Sequence, residues 1–191
     1  MGISLKQVRE ISRILNDWIV KSQTNEEALK GGKGKIVEFD ESCFFGRKNH
    51  KGRVLKQIWG FGIVERSTGR LFVQIVQNRS AKTLVSIIQK WIDPTSKFII
   101  SDEWRAYQNL KQLKYNHVTI KHSENFVHPE NPKIYTQTIE NRWGLIKSIM
   151  KKRGRISREN FGLRLKEISW RIANKMNIQH KLLKIILHYN I

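Results

Sequence analysis

The run KFIIS at residues 97–101 decides the fold, because it is short, apolar and followed at once by an acid, Asp102. A continuous apolar run of this length is typical of a strand that is buried on both faces, as strands in parallel sheets are. The pair Asp93-Pro94 ends the helical pattern that precedes it. The sequence therefore predicts a buried parallel strand with Asp102 at its carboxyl end.

Three β-rich runs lie upstream, at residues 36–45, 58–65 and 71–76, and turns that are basic or contain glycine join them. Such spacing indicates an antiparallel meander. Ser80 then begins a helical pattern. Its apolar face consists of Leu84, Ile87, Ile88 and Trp91. A helix there would connect the meander to the buried strand as a crossover.

Downstream, residues 103–113 indicate a short helix, residues 117–121 another strand, and residues 136–152 a longer helix. A further helical pattern follows Gly154, and residues 182–187 close it. Three antiparallel strands, then alternating helix and strand, then helices, is the ribonuclease-H-like order. We therefore predict an α/β fold of this class, similar to retroviral integrases, with a mixed five-stranded sheet flanked by helices.

The segments before the first strand differ from this core. Residues 5–19 repeat apolar side chains at three- and four-residue steps, which is typical of an amphipathic helix. KGGKGK at residues 30–35 has no periodicity and leads into a strand. It therefore indicates a linker and not a phosphate-binding loop, which would lead from a strand into a helix.

The charge of the chain favours a polyanionic partner, most simply nucleic acid. The 191 residues include 36 Lys and Arg against 16 Asp and Glu, a formal charge of +20. Residues 141–191 hold thirteen of the basic residues and two Glu, a net +11, which is more than half of the excess. A solvated basic face or an electrostatic anchor would have the same composition.

The single cysteine, Cys43, excludes an internal disulfide and any multi-cysteine zinc ribbon, and it suits a reducing compartment. The chain shows neither a signal-peptide core nor an apolar run near the roughly 20 residues that span a bilayer. We expect a soluble intracellular protein without a membrane partner. Its compartment would be the nucleus in a eukaryote, and the cytoplasm or nucleoid in a prokaryote.

Three acids fall on different elements of the predicted fold. Asp40 lies in a run whose neighbours Val37, Phe39, Cys43 and Phe44 are apolar, where an unpaired charge is costly. Asp102 ends the buried strand, where open α/β sheets bind their ligands. Glu140 lies in the first turns of the late helix, and Lys147 lies two turns further along the same face. Converging carboxylates suit two divalent ions, Mg²⁺ or Mn²⁺, and phosphodiester chemistry.

Each acid also has an ordinary structural explanation. Asp40 could pair with a buried Arg, and Asp102 could cap the helix expected at residue 103. Glu140 and Lys147 could form an exposed surface pair. Their joint occurrence in a strongly basic chain favours the metal site.

Three neighbouring acids, Glu38, Glu41 and Glu103, could replace these ligands. Strand alternation places Glu38 on the same face as Asp40. We expect all three to support the site or the fold rather than to bind metal.

Four ordered blocks are similar to one known family. They are VEFDESCFFGRKNHKGRV at 37–54, ISDEWRAY at 100–107, HVTIKHSENFVHPE at 117–130 and TQTIENRWGLIK at 136–147. The blocks resemble the ISXO-type insertion-sequence transposase domain, a group that is similar also to the Merlin transposons of eukaryotes. The resemblance extends over residues 31–171.

This resemblance implies a DDE-type DNA transposase of the cut-and-paste kind. Its catalytic and metal-binding acids would be Asp40, Asp102 and Glu140, and Lys147 would contact the DNA end. The reaction would be metal-dependent hydrolysis of a phosphodiester at the transposon end, followed by strand transfer into target DNA. Transposon ends and target DNA would be the partners, bound by a homo-oligomer in a synaptic complex.

Basic residues near these acids are expected to bind DNA phosphates. They comprise Arg47, Lys48, Lys51 and Arg53 after the first strand, and Arg142, Lys147, Lys151, Lys152, Arg153 and Arg155 on and after the late helix. Within the third block, His122 and Asn125 are expected to lie near the active site.

Full-length relatives of this kind carry a zinc ribbon and a helix-turn-helix before the catalytic domain. We therefore expect residues 1–30 to be a helical remnant of that DNA-recognition region. Residues 31–35 would be a linker, 36–172 the catalytic domain and 173–191 a basic helical extension. A truncated or domesticated DNA-binding protein that keeps the fold without catalysis is the alternative. A nuclease of the ribonuclease-H type, acting on RNA/DNA hybrids, would use the same acids.

Overall fold

The structure is a computed structural model, which describes residues 2–25, 30–45, 57–121, 127–128, 131–154 and 156–189. The chain forms two compact units. The helical unit consists of Met1–Glu27 and Gly154–Ile191, and the sheet unit consists of Ala28–Arg153. Within the described ranges, no helix is both long and apolar enough to cross a membrane.

A five-stranded sheet forms the centre of the sheet unit. Its strands are β1 (Ile36–Cys43), β2 (Trp59–Glu65), β3 (Leu71–Val76), β4 (Phe98–Asp102) and β5 (His117–Ile120), in the spatial order β3-β2-β1-β4-β5. The first three strands pair antiparallel, whereas β4 is parallel to both β1 and β5. This is the ribonuclease-H-like order, so the predicted fold class is confirmed.

The described residues also form α-helices in both units. They are α1 (Leu5–Asn25), α2 (Ala81–Trp91), α3 (Gln137–Lys152), α4 (Arg158–Ala173) and α5 (Ile178–Tyr189). Helices α2 and α3 belong to the sheet unit, and the other three belong to the helical unit. Ser80 caps α2 by accepting a hydrogen bond from the backbone N–H of Thr83, which confirms the predicted start of the crossover helix.

The main core lies between α2 and one face of the sheet. Strand alternation places Phe39 on this face and assigns Glu38 and Asp40 to the other. Fully buried side chains of this core include Phe39, Phe61, Ile63, Leu84 and Ile88. The second face carries α3, so β1 is covered on both sides.

Residues 103–113 were expected to be helical, but only a 3₁₀ turn, Arg105–Tyr107, forms there. The backbone N–H groups of Tyr107, Leu110 and Leu113 each donate to the carbonyl three residues earlier. Such bonds wind the chain at three residues per turn, which brings Tyr107 and Leu110 to one buried side. The predicted helix was therefore wrong, because burial at a three-residue spacing favoured tight turns.

Residues 30–35 are packed more closely than a linker requires. Lys30–Gly31 pairs in parallel with Ile92–Asp93 as a short two-stranded sheet. Gly31 has φ +99°, and a Cβ at this position would lie 2.1 Å from Oγ of Ser96. Only glycine fits such an approach, so this segment is part of the sheet unit's packing.

A hairpin that the sequence did not predict leads into α3. It consists of β6 (Val127–His128) and β7 (Asn131–Tyr135), which pair antiparallel. Thr136 alone separates β7 from α3. The hairpin therefore determines where the chain enters this helix.

The helical unit has its own core. Ile19 of α1, Trp170 of α4 and Ile185 of α5 are buried in one cluster. The rings of Trp18 and Tyr189 stack at a centroid distance of 5.6 Å. Helix α4 thus packs with α1 and α5.

Candidate active site

Two of the predicted acids lie at the same edge of the sheet. Strands β1 and β4 are parallel neighbours, with Glu38 opposite Ile100. Continued by two residues, this register brings Asp40 level with Asp102, the last residue of β4. Neighbouring strands lie about 4.8 Å apart, so the fold places these two carboxylates side by side.

Helix α3 brings the third acid to this edge. Asp40 pairs with Gly62 of β2, and a Cβ on Gly62 would lie only 2.6 Å from Cζ2 of Trp143. The indole of Trp143 therefore rests on the sheet beside Asp40. Glu140 lies in the first turn of the same helix, one turn before Trp143.

Asp40 is half-buried and has an unusual pKa. Burial raises the pKa of Asp40 to about 7, although a backbone hydrogen bond from Glu41 opposes the shift. The negative charges of Glu41, Asp102 and Glu140 act in the same direction as burial. Acids from β1, β4 and α3 are therefore close enough to repel one another, as a cation-binding site requires.

The other two acids have described hydrogen bonds. One oxygen of Asp102, Oδ1, accepts from the backbone N–H of Trp104 at 3.1 Å. Asp102 therefore does cap the turn that follows it, one of the alternatives open from the sequence, and still ends β4. Glu140 is exposed, and its Oε1 accepts from the hydroxyl of Thr136 at 2.8 Å.

The three acids fit a divalent metal by their chemistry. Carboxylate oxygens are hard ligands of the kind that Mg²⁺ and Mn²⁺ prefer, and a cation would relieve the repulsion that raises the pKa of Asp40. In the part of the chain that the structure describes, no three His, Cys, Asp or Glu side chains are grouped closely enough to hold an ion. Asp102 and Glu140 are thus close enough to raise the pKa of Asp40, but the three carboxylates do not form a complete set of metal ligands.

Some of the predicted DNA-binding residues lie on α3. Lys147 is exposed, with its Nζ 5.7 Å from the centre of the Phe44 ring, just beyond β1. Arg142 is half-buried, and its Nη2 would lie 3.5 Å from a Cβ on Gly69, in the turn between β2 and β3. Exposed cations at the end of the helix are Lys151, Lys152 and Arg153. The predicted residues Arg47, Lys48, Lys51, Arg53, His122, Asn125 and Arg155 lie outside the described residues.

Arg79 is a candidate site residue that the sequence gave no reason to select. Its guanidinium carbon lies 4.3 Å from the centre of the Trp59 ring and 4.1 Å from that of Trp104. Its Nε faces Oε1 of the buried Glu41 at 3.4 Å. Arg79 follows β3, which runs parallel to β1, so it lies at the same edge of the sheet as Asp40.

Glu41 and Tyr107 form the buried side of this edge. Burial raises the pKa of Glu41, against the opposing effects of the Tyr107 hydroxyl and the Arg79 guanidinium. Burial and the nearby carboxylates, Glu41 first, also raise the pKa of Tyr107, which therefore stays protonated. Glu41 thus faces Arg79 and Tyr107, and its supporting role stays a prediction.

His117 is a core residue. It is buried, its ring stacks on Phe39 at 5.8 Å, and its Nε2 lies 2.9 Å from the hydroxyl of Ser101. Burial lowers the pKa of His117 to about 4, so the imidazole is neutral at physiological pH. It contributes packing beneath the acidic edge.

The chain belongs to the ISXO2-like transposase domain family, whose model matches residues 28–173. It is similar to an uncharacterized transposase-like protein of Haemophilus influenzae, with 32% identity over 105 residues that cover 55% of this chain and 82% of that protein. The family predicted from the four sequence blocks is thereby confirmed.

Solved structures of retroviral proteins are also similar to this chain. The HTLV-2 integrase catalytic core domain in complex with magnesium has a TM-score of 0.48 and 14% identity, covering 79% of this chain and 90% of that one. A chain of the simian T-cell lymphotropic virus intasome has a TM-score of 0.47 and 17% identity over 78% of this chain. This chain spans about half, 52%, of the length of that intasome chain.

Proposed function

We propose that this chain carries the catalytic domain of a DDE-type DNA transposase, with Asp40, Asp102 and Glu140 as its acidic triad. The observation that carries the proposal is the register of β1 and β4, which brings Asp40 level with Asp102, while Trp143 of α3 rests on Gly62, the partner of Asp40. Membership of a transposase domain family supports the reaction class. The family predicts the chemistry, and the positions of Asp40 and Asp102 on neighbouring parallel strands support the choice of residues.

The triad would bind Mg²⁺ or Mn²⁺, with two ions expected. Asp40 within β1 and Asp102 at the end of β4 would hold them from neighbouring strands, and Glu140 would complete the site from α3. When bound, such ions supply charge neutralisation and Lewis-acid activation for in-line phosphoryl transfer.

The reaction consists of two displacements at phosphorus. In the first, the oxygen of water forms a bond to phosphorus at the transposon end, and the 3′ oxygen leaves and takes up a proton. In the second, that 3′ hydroxyl attacks a phosphodiester of target DNA and displaces its 3′ oxygen. Each step exchanges one P–O bond for another, so neither needs an external energy source or a redox partner.

The protein's cations would position the DNA for these steps. Lys147 lies on α3 beyond Glu140, near the end of β1, where it can contact a phosphate next to the triad. Lys151, Lys152 and Arg153 continue the basic surface to the end of the helix. Contacts of this kind determine affinity and its salt dependence rather than sequence preference. A homo-oligomer that holds two DNA ends in a synaptic complex is the expected assembly.

The decisive experiment is a cleavage and strand-transfer assay with DNA from the ends of the chain's own genomic locus and Mn²⁺. We expect each of the variants Asp40→Asn, Asp102→Asn and Glu140→Gln to lose both cleavage and strand transfer. Each variant should still bind DNA. Glu159→Gln is the control, because Glu159 is an exposed acid of α4 to which the proposal gives no role. It should cleave at the wild-type rate.

Two results would contradict the proposal. Cleavage that persists in Asp40→Asn and Asp102→Asn would exclude these residues as the triad. Wild-type protein that binds DNA but takes up no Mn²⁺ in calorimetric titration would support the alternative, a DNA-binding protein without catalysis. Cleavage of RNA/DNA hybrids in preference to DNA ends would instead identify a nuclease of the ribonuclease-H type.

A further inference from the structure

We infer that the buried carboxylate of Glu38 is a positioning residue that fastens the first turn of α3 to β1 and thereby fixes Glu140 relative to Asp40. The inference rests on the proposed function, since it concerns the geometry of the same triad. Glu38 precedes Asp40 by two residues on β1, so both side chains leave the same face of the strand.

Glu38 makes a hydrogen bond that crosses from the sheet to the helix. Its side chain is fully buried, and its Oε2 accepts from the backbone N–H of Ile139 at 2.9 Å. The two residues are 101 positions apart in the sequence. Ile139 is the neighbour of Glu140, so the bond ends one residue from the third acid of the triad.

The first turn of a helix needs such acceptors. The first four N–H groups of an α-helix have no partner within the helix, and a side chain at the N-cap usually accepts from one of them. Thr136, the N-cap of α3, makes no side-chain capping bond, and its hydroxyl donates to Glu140 instead. Glu38 thus replaces the local cap with one that belongs to β1. Its negative charge also suits the positive end of the helix dipole.

Arg66 holds Glu38 in place from the other side. The Nε of Arg66 donates to Oε1 of Glu38, and its Nη2 donates to the carbonyl of Tyr135 at 2.5 Å. The guanidinium also lies 3.6 Å from the centre of the Tyr135 ring. Tyr135 ends β7, and only Thr136 separates it from α3. Arg66, the residue after β2, therefore connects Glu38 of β1 to Tyr135, which lies just before the start of α3.

Stability alone does not account for this arrangement. The side chains of Glu38 and Arg66 are only 0% and 12% exposed. Burying an ion pair costs desolvation that can exceed the attraction, and apolar residues of similar volume are often equally stable. What apolar residues would lack is a directional acceptor for the N–H of Ile139. The distinctive contribution of Glu38 is therefore the placement of the helix start.

The contact at Gly62 completes the attachment of α3. The Trp143 ring lies on Gly62, which pairs with Asp40, and the Ile139 side chain also reaches this glycine. Glu140 is thus held between the Glu38 bond on one side and the Trp143 contact on the other. Loss of the Glu38 bond would free the helix start while leaving Trp143 as a pivot.

The test compares two double variants that both remove the ion pair and have similar side-chain volumes. Glu38→Gln with Arg66→Met keeps an oxygen that can accept from the N–H of Ile139. Glu38→Met with Arg66→Met has no such acceptor. The readouts are Mn²⁺ affinity by isothermal titration calorimetry on the full chain, without DNA, and hydrogen exchange of the α3 amides.

We expect the variant without the acceptor to bind Mn²⁺ about tenfold more weakly than the variant that keeps it, as is common when a residue that orients a metal ligand is lost. Hydrogen exchange of the Ile139 amide should be faster only in the variant without the acceptor, Glu38→Met with Arg66→Met. Glu65→Gln serves as the control for general destabilisation, because Glu65 is a buried, ion-paired carboxylate of β2 whose partners lie in the turn after it and at Gly31 and Lys35. It should leave Mn²⁺ affinity unchanged.

The outcomes distinguish this inference from the proposed function. Equal Mn²⁺ affinity and equal Ile139 exchange in the two folded double variants would overturn the positioning role and leave the triad intact. If wild-type protein binds no Mn²⁺, or if Asp40→Asn binds it normally, the triad itself fails and the inference with it. If the variant without the acceptor does not fold, the single variant Glu38→Asp is used, which keeps a carboxylate for Arg66 and shortens the side chain that reaches the N–H of Ile139 by one methylene. Faster exchange of the Ile139 amide together with weaker Mn²⁺ binding supports the inference, and faster exchange with normal affinity contradicts it.

Discussion

Replacing Gly62 by alanine should displace α3 from the sheet beside Asp40. A Cβ at this position would lie 2.6 Å from Cζ2 of Trp143 and 3.1 Å from Cδ1 of Ile139. Carbon atoms in favourable contact are about 3.5–4.0 Å apart, so the indole or the helix would have to move by about 1 Å. Trp143 and Ile139 are 4% and 0% exposed, so neither side chain can turn into solvent without losing its packing.

The expected loss of stability follows from two opposing effects. Overpacking a well-filled contact costs about 1–3 kcal/mol. Replacing a glycine within a strand by alanine recovers about 0.5–1 kcal/mol of backbone entropy. We therefore expect the free energy of unfolding to fall by about 1–2 kcal/mol.

Urea unfolding measures this change, and Gly144→Ala provides the control. Gly144 is exposed on α3, with no atom within 4 Å of a Cβ placed there. Alanine at that position should stabilise the helix by about 0.5–1 kcal/mol. The Gly62 variant should also bind Mn²⁺ more weakly, because Glu140 moves with α3. If Gly62→Ala is as stable as the wild type, α3 does not rest on β2 at this residue.

Three further predictions concern Asp40, Arg79 and Lys147. Without metal, the unfolding free energy should fall as pH rises from about 4 to about 7, because the folded pKa of Asp40 lies above its ordinary value of 3.8 and the folded state holds the proton more tightly. Asp40→Asn should flatten this part of a urea-unfolding pH series. Arg79→Ala should cost about 2 kcal/mol in thermal unfolding, since it removes two ring contacts and leaves Glu41 without its cation, and Arg79→Lys should recover only part. Lys147→Ala should reduce the slope of log DNA affinity against log salt by about one in anisotropy titrations, whereas the exposed Lys82→Ala should not change it.

The sheet could be predicted from the sequence because its strands differ in pattern. The run at residues 98–100 is apolar without interruption, and β4 is indeed parallel to both its neighbours. The three upstream runs alternate or turn at glycine, and they pair antiparallel. Each pattern reflects how a strand is buried, so the order of patterns along the chain was enough to predict the topology.

Local signals were weaker where the backbone depends on tertiary contacts. At Gly31, glycine and lysine suggested a linker, but the residue packs against Ser96 on a distant segment. Residues 103–113 have helix-forming side chains, yet the capping of Trp104 by Asp102 and a three-residue spacing of buried groups gave turns. Such outcomes depend on partners that the local sequence does not reveal.

In the candidate site, too, some residues could be selected from the sequence, whereas others depend on tertiary contacts. Asp40 and Asp102 could be selected because a charge within or after an apolar strand is visible in the sequence. The sequence also placed Glu38 on the face of Asp40, but its bond to Ile139 joins residues 101 positions apart. Arg79 stood in a turn without a pattern, and only the fold shows that it lies between Trp59 and Trp104.

At Asp40, the requirements of stability and of the proposed function oppose each other. Burial and three nearby carboxylates make the ionised form of Asp40 costly in the folded protein without metal. A fold selected for stability alone would replace one of these acids by an amide or an apolar residue. The attachments of α3 at Glu38 and Gly62 instead hold the helix at the place where Glu140 adds to the repulsion. Carboxylates that are held close together despite their mutual repulsion are expected where a divalent cation binds between them and offsets that repulsion.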